Sequence, residues 1–229
     1  MTAAPSGQHH EPTTSVRILV IAKAPVPGLA KTRLAASVGD LGAAELAAAG
    51  LLDTLEASRA ASADCVIALT GDMDRACRAS DINDALRDWT VLWQRGDGFD
   101  ERLAGAHLDA GDGPTIQIGM DTPQVSASML HEAGSLLADH DTVLGPAEDG
   151  GWWVFGRHRA ADADALRGVP MSTDSTCDDT RSALLARGLS VGTARTLRDV
   201  DEVADAQQVA AAAPHMRFAQ VWQAQGGVR

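Results

Sequence analysis

The feature that most constrains this chain is an alternation that begins near residue 16. Short, nearly unbroken runs of Ile, Leu and Val are separated by longer stretches rich in Ala and Leu. Continuous apolar runs suit strands covered on both faces, and the intervening stretches suit crossover helices. The pattern therefore predicts an α/β fold, Rossmann-like, with a mixed and mostly parallel sheet flanked by helices. Residues 16–22 (VRILVIA) read as the central strand, followed by strands at 65–69, 90–93, 115–119, 142–144 and 190–196. Helices are expected at 42–58, 73–86, 99–109, 126–138, 160–167 and 178–186, and from 202 onward. The aromatic run WWVFG, closed by Gly156, reads as a strand that reverses direction.

A length of 229 residues suits one domain, expected over residues 16–229. Residues 1–15 lack both the basic and the apolar regions of a signal peptide and read as a disordered tail, with His9 and His10 solvated. A net charge of −12 argues against non-specific binding to nucleic acid or an anionic membrane surface. Nothing in the sequence reads as a membrane span. Cys65, Cys77 and Cys177 are odd in number and form no CxxC pair, so reduced thiols and a cytoplasmic location are expected.

Ligands of open α/β sheets bind beyond the carboxyl ends of the strands, which selects three loops. The first, AKAPVPGLAKTRL, runs from Ala22 to Leu34 and holds the only two lysines of the chain, Lys23 and Lys31, together with Arg33. Elsewhere the chain uses arginine for positive charge, so two compact ammonium groups in one loop point to phosphate. Gly28, between the turn-forming prolines and Thr32, would let backbone amides and a hydroxyl approach the same anion. A Walker A loop is excluded because Pro25 and Ala30 stand where glycines are required. The plain alternative is a proline-stiffened surface loop with solvated lysines.

The second loop, GMDTP, places Asp121 and Thr122 just past a strand, where Asp121 could share a hard divalent cation or simply cap the turn. The third, AEDGGWW, sets Glu148 and Asp149 beside Gly150 and Gly151. These carboxylates could grip sugar hydroxyls, act as a base or reach a metal. Trp152 is the stacking candidate, whereas Trp153 and Phe155 read as core. In LRDVDE, Asp199 and Asp201 are two apart and share a side of an extended segment, so either could join Asp121 at a metal or cap the last helix.

Taken with GDGFDERLAGA at 96–106, these segments resemble, in order and spacing, a family of small bacterial proteins with the nucleotide-diphospho-sugar transferase, or GT-A, fold. Proteins of that family are labelled glycosyltransferases. The wider superfamily includes phospholactate guanylyltransferases and CMP-sugar synthetases. The resemblance implies that Lys23, Lys31 and Arg33 hold phosphate and that Asp121 and Asp201 hold Mg²⁺ or Mn²⁺. Catalysis is assigned to Asp121, Asp149 and Lys31, and nucleotide binding also to Ala22, Gly28 and Thr32. The segment Met171, Ser172, Thr173 resembles a family WST stretch, which puts Ser172 and Thr173 on the acceptor side. Met120, the two tryptophans and Glu202-Val203-Ala204 depart from the family pattern.

The expected activity is metal-dependent transfer from a nucleotide-activated donor, with glycosyl transfer from a nucleotide sugar to a small acceptor placed first. Nucleotidyl transfer from an NTP, with release of pyrophosphate, is the close alternative. A non-catalytic nucleotide-binding protein is a third reading. No GxSxG elbow supports a hydrolase, and His107 and His131 read as ordinary helix residues.

Overall fold

The computed structural model describes residues 15–227. The tail expected at residues 1–15, including His9 and His10, lies almost wholly outside the described residues. Seven strands form one sheet: β1 (Arg17–Lys23), β2 (Cys65–Thr70), β3 (Thr90–Trp93), β4 (Thr115–Ile118), β5 (Thr142–Pro146), β6 (Trp152–Arg157) and β7 (Val191–Thr193). Their order across the sheet is β3-β2-β1-β4-β6-β5-β7. Every pairing is parallel except those of β6, which runs antiparallel to both β4 and β5. The reversing strand expected at WWVFG is therefore present, and the sheet is mixed.

Helices cover both faces of the inner strands, which is why β1 and β2 are apolar along their length apart from their ends. Alternate side chains of β1 go to opposite cores. Ile18, Val20 and Ala22 pack with Leu51 and Leu55 of α1 (Thr32–Ala61), Ile82 of α2 (Ala79–Ala85) and Leu130 of α4 (Ala127–Ser135). Leu19 and Ile21 pack with Leu103 of α3 (Phe99–Ala110), with the 3-10 segment Ala160–Leu166 and with Leu184 of α5 (Thr176–Ala186). A smaller cluster joins Leu34 and Leu46 of α1 to α6 (Val203–Ala212) and α7 (Arg217–Ala224).

Several boundaries differ from the sequence reading for identifiable reasons. Helix α1 starts ten residues earlier than expected and absorbs the end of the first loop. Gly39 breaks the helix near this end, with φ 76° and ψ 163°, without ending it. The expected helix at 73–86 is a 3-10 turn, Met73–Arg75, then α2, because Arg78 takes a left-handed φ of 54° between them. The segment at 160–166 is 3-10 rather than α. The expected final helix is two helices, parted at Pro214, which cannot donate a backbone hydrogen bond. Strand β7 is shorter than the expected 190–196.

One further difference concerns α1. By length and composition it is apolar enough to cross a membrane, contrary to the sequence reading, but half of its most apolar window is packed inside the protein. Its Ala and Leu residues serve here as the wall of a core. Cys65, Cys77 and Cys177 are free thiols.

Candidate functional site

The carboxyl ends of β1, β2, β3, β4 and β5 open onto one cleft of about 470 Å³. A chain segment laid across those ends assembles it. After β7 the backbone runs past β5, where Leu197 N donates to Pro146 O at 3.1 Å and Glu148 N donates to Leu197 O at 3.0 Å. It then reaches the loop after β4, where Val200 N donates to Asp121 O at 2.8 Å. This path carries Asp199 and Asp201 to residues that follow two other strands.

Asp149, Asp199 and Asp201 present carboxylate oxygens that all lie within 4.8 Å of one another. Burial first, and the neighbouring Asp149 charge next, push Asp199 up to about 6. Like charges gathered this closely are costly without a cation among them. An all-oxygen, all-carboxylate donor set fits a hard divalent ion such as Mg²⁺ or Mn²⁺. Asp121, expected from sequence at the metal, stands beside this triad rather than within it. Its Oδ1 lies 2.5 Å from Lys31 Nζ, which also lies 3.3 Å from Asp201 Oδ1 and donates to Val200 O.

Lys31, expected from sequence at phosphate, lines the same chamber as Lys23 and Arg33, and protein groups already hold its ammonium. Its side chain is only 10% exposed, and its ammonium is shared by two carboxylates and a carbonyl. Burial alone would lower its pKa. The Asp121 charge, then the Asp201 charge, more than reverse this and hold it above the ordinary lysine value. Its backbone, at φ 50°, occupies the left-handed region immediately before α1, which turns the side chain into the carboxylates. Lys23 and Arg33 are the accessible cations. Lys23 Nζ donates to Leu29 O at 2.9 Å, and Arg33, 67% exposed, lies 3.1 Å from Asp201 Oδ2. With Thr32 and Leu29 they line a second chamber of about 280 Å³ that adjoins Asp121 and Asp201.

The remaining expected residues separate into those in the cleft and those outside it. Ala22, Thr122, Gly151, Trp152, Ser172 and Thr173 line the cleft. Thr122 is buried with its hydroxyl unpartnered. Trp152 is half-buried and its indole N–H donates to Thr180 Oγ1 at 3.2 Å, so the ring forms a fixed wall. Trp153 and Phe155 are buried. Glu148 is not brought in: it pairs with Arg198 on the outside of the loop. Gly28 lines neither chamber. Gly150 supports the loop from behind. Its φ is +92°, and a Cβ there would lie 2.1 Å from Asp174 O, so no other residue fits without moving the 172–174 segment.

Several cleft residues escaped sequence reasoning, Gln94, Phe99, Arg102 and Gln117 among them. Gln94 donates both amide hydrogens to carbonyls, at 2.9 Å to Ala22 O and 2.8 Å to Ala68 O, and so ties β1 to β2 at the cleft wall. Phe99 and Arg102 lie in the GDGFDERLAGA segment, which carries part of the resemblance without pointing to these side chains. The Arg102 guanidinium sits 5.8 Å from the Phe99 ring centroid, and its Nε is buried without a partner. Gln117 stands between two buried isoleucines in the fully buried strand TIQI, and that incongruity is the signal for it.

The sheet order, the single antiparallel strand and the strand-end acidic cleft define a fold of the nucleotide-diphospho-sugar transferase type. Solved structures that share it include the following three. A protein of Desulfovibrio desulfuricans G20, described as a candidate nucleotide-diphospho-sugar transferase, superposes with a TM-score of 0.82 at 24% identity over 94% of this chain and 96% of that one. The inositol-1-phosphate CTP transferase of T. maritima gives 0.58 at 12% identity, over 91% of this chain and 97% of its own. CMP:2-keto-3-deoxy-manno-octonic acid synthetase complexed with CTP gives 0.55 at 13% identity, over 88% and 100%. No curated protein matches the sequence. The chain belongs to the DUF2064 family, described as uncharacterized protein conserved in bacteria, whose model matches residues 52–173.

Proposed function

We propose that this protein is a divalent-cation-dependent transferase that uses a nucleotide-activated donor and a small acceptor. The observation that carries the reading is the Asp149, Asp199, Asp201 cluster at the mouth of the cleft, flanked by the cation-bearing loop after β1. A divalent ion held there would neutralise charge developing on a phosphate leaving group. Lys23 and Arg33, which line the adjoining chamber, would bind phosphate oxygens. Lys31 keeps Asp121 and Asp201 facing one another, and the fixed Trp152 wall with Ser172 and Thr173 bounds the far side of the cleft, where an acceptor would enter.

Sugar transfer from a nucleotide sugar remains the first version of this reading, supported by the description of the Desulfovibrio protein. Nucleotidyl transfer is favoured by one specific feature. The 280 Å³ chamber beyond Asp121 and Asp201 is lined by Lys23, Thr32 and Arg33, and offers room for a departing pyrophosphate. Two of the similar folds bear names that describe CTP or CMP chemistry.

A thermal-stability panel of the four NTPs and of UDP-, GDP- and dTDP-sugars, each with Mg²⁺, Mn²⁺ or EDTA, tests the reading and separates its versions. A native-state ligand at 100 times its Kd adds about 2.7 kcal/mol. Metal-dependent stabilisation by a nucleotide sugar selects glycosyl transfer, and by an intact NTP selects nucleotidyl transfer. No metal-dependent stabilisation by any of them rejects both.

A further inference from the structure

A chain of buried polar side chains runs from the far end of β6 to the floor of the cleft. Arg157 is fully buried. Its Nη1 donates to Gly113 O at 2.9 Å and its Nη2 to His107 O at 3.2 Å, while Nε donates to His107 Nδ1 at 3.1 Å. A guanidinium can only donate, so His107 Nδ1 must accept. His107 is then the neutral tautomer that carries its proton on Nε2. Burial, then the Arg157 charge, hold its pKa at about 3, consistent with that form.

His107 Nε2 lies 3.3 Å from the side-chain oxygen of Gln117. As the donor of that pair, it fixes which end of the Gln117 amide is which: Oε1 faces His107 and the NH₂ group faces away. Gln117 sits within β4, opposite Leu19 of β1 and Phe155 of β6, is 2% exposed, and lines the cleft. Its Nε2 has no partner among the described residues, although its neighbours in the strand, Ile116 and Ile118, are apolar and fully buried. An apolar residue would fill this position at no polar cost, whereas here three buried polar side chains are linked to present one amide. A second donor, Arg102 Nε, lines the same cleft, buried and unpartnered.

We infer that Gln117, oriented by the Arg157 to His107 relay, donates a hydrogen bond to a carbonyl or carboxylate oxygen of the bound substrate, with Arg102 as its companion donor. This rests on the reading of the cleft as a substrate site. Gln117 is the contact and therefore the specificity-determining residue, while His107 and Arg157 are positioning residues. The oxygen has two possible sources, a nucleobase carbonyl of the donor or a carboxylate of the acceptor molecule.

Two NMR readouts on the full chain test the inference. The first needs no ligand: long-range ¹H–¹⁵N correlation of His107 is expected to show the Nε2–H tautomer, and the Nδ1–H tautomer would overturn the relay. The second follows the Gln117 side-chain amide, identified by its loss in Gln117→Met, as each of the four NTPs with Mg²⁺, and separately malonate as a carboxylate probe, is added. A shift with an NTP assigns the oxygen to the nucleobase, and a shift with malonate alone assigns it to the acceptor. In either case Gln117→Glu, which replaces the donor by an acceptor, weakens the responding probe about tenfold or more. An unmoved amide with both probe classes overturns the inference even where an NTP stabilises the protein. Failure of every nucleotide to stabilise overturns the transferase reading instead, and leaves the tautomer and malonate results to decide the inference.

Discussion

The Lys31 ammonium lies 2.5 Å from Asp121 Oδ1 and also reaches Asp201, so a cation supplied by the first loop bridges the loops that follow β4 and β7. The three segments that form the site are therefore held together by the chain's own charge. Asp121 is left beside the acidic triad rather than in it. This arrangement sets Asp121 apart from the other three aspartates, which sequence spacing could not do.

Asp121→Ala removes one of the two carboxylates that hold Lys31. Lys31 keeps Asp201 and the Val200 carbonyl, and Asp121 is half exposed, so the stability loss is expected to be about 1 kcal/mol or less. Metal-dependent nucleotide binding, measured by calorimetry, is expected to fall at least tenfold (~1.4 kcal/mol). Unchanged affinity would remove Asp121 from the site.

Asp149→Asn and Asp199→Asn each remove a charged ligand from the cluster, whereas Glu148→Gln alters a carboxylate committed to Arg198 outside it. Direct Mn²⁺ titration followed by electron paramagnetic resonance is expected to show about tenfold weaker binding or worse for the first two. Glu148→Gln should match the parent. Equal losses in all three would mean that the effect is one of general charge.

His107 gives the stability curve a definite slope. Its native-state pKa is about 3, against an ordinary value of 6.5, so between these the unfolded chain holds one more proton than the folded one. Stability is expected to be fully retained above pH 6.5 and lost as the pH falls towards 3, at about 1.4 kcal/mol per pH unit from this group. Subtracting the urea-unfolding profile of His107→Gln from that of the parent isolates the contribution. A flat difference over that window would show that His107 titrates normally.

Gly150→Ala is expected to cost about 3 kcal/mol or more, because the added Cβ meets Asp174 O at 2.1 Å and the backbone has a φ of +92°. Chemical denaturation reads this directly. A near-neutral result would mean that the 172–174 segment yields easily and is not held by this contact.

Much of the fold was legible because burial on both faces leaves the same mark in β1, β2 and β4, a run of apolar residues bounded by a loop. The antiparallel β6 could be read from its aromatic content and its closing glycine. The early start of α1 was not legible because residues 32–41 follow a Pro- and Gly-rich loop and contain Gly39, whose conformation breaks the helix without ending it. In the site, the strand-end rule found Asp121 and Asp149, because it depends only on where strands stop, and Asp199 and Asp201 stood out by their two-residue spacing in LRDVDE. Which of them converge depends on the path of residues 197–201 across two strand ends, a tertiary fact with no local signature. The burial of Lys31 was equally out of reach, since a lysine in a loop looks the same whether it meets solvent, phosphate or two carboxylates. Gln117 could have been noticed, as one amide among isoleucines, but its partner His107 lies on a helix ten residues away and Arg157 forty residues further on.

The central claim is that the acidic cluster and the first loop together bind a nucleotide through a divalent cation. Its most direct test is calorimetric titration of the nucleotide selected by the stability panel into the parent protein and into Asp199→Asn, each with Mn²⁺ and with EDTA. The account predicts tight binding only for the parent with Mn²⁺, weakened at least tenfold by either EDTA or the substitution (~1.4 kcal/mol). Equal affinity in all four titrations would contradict it.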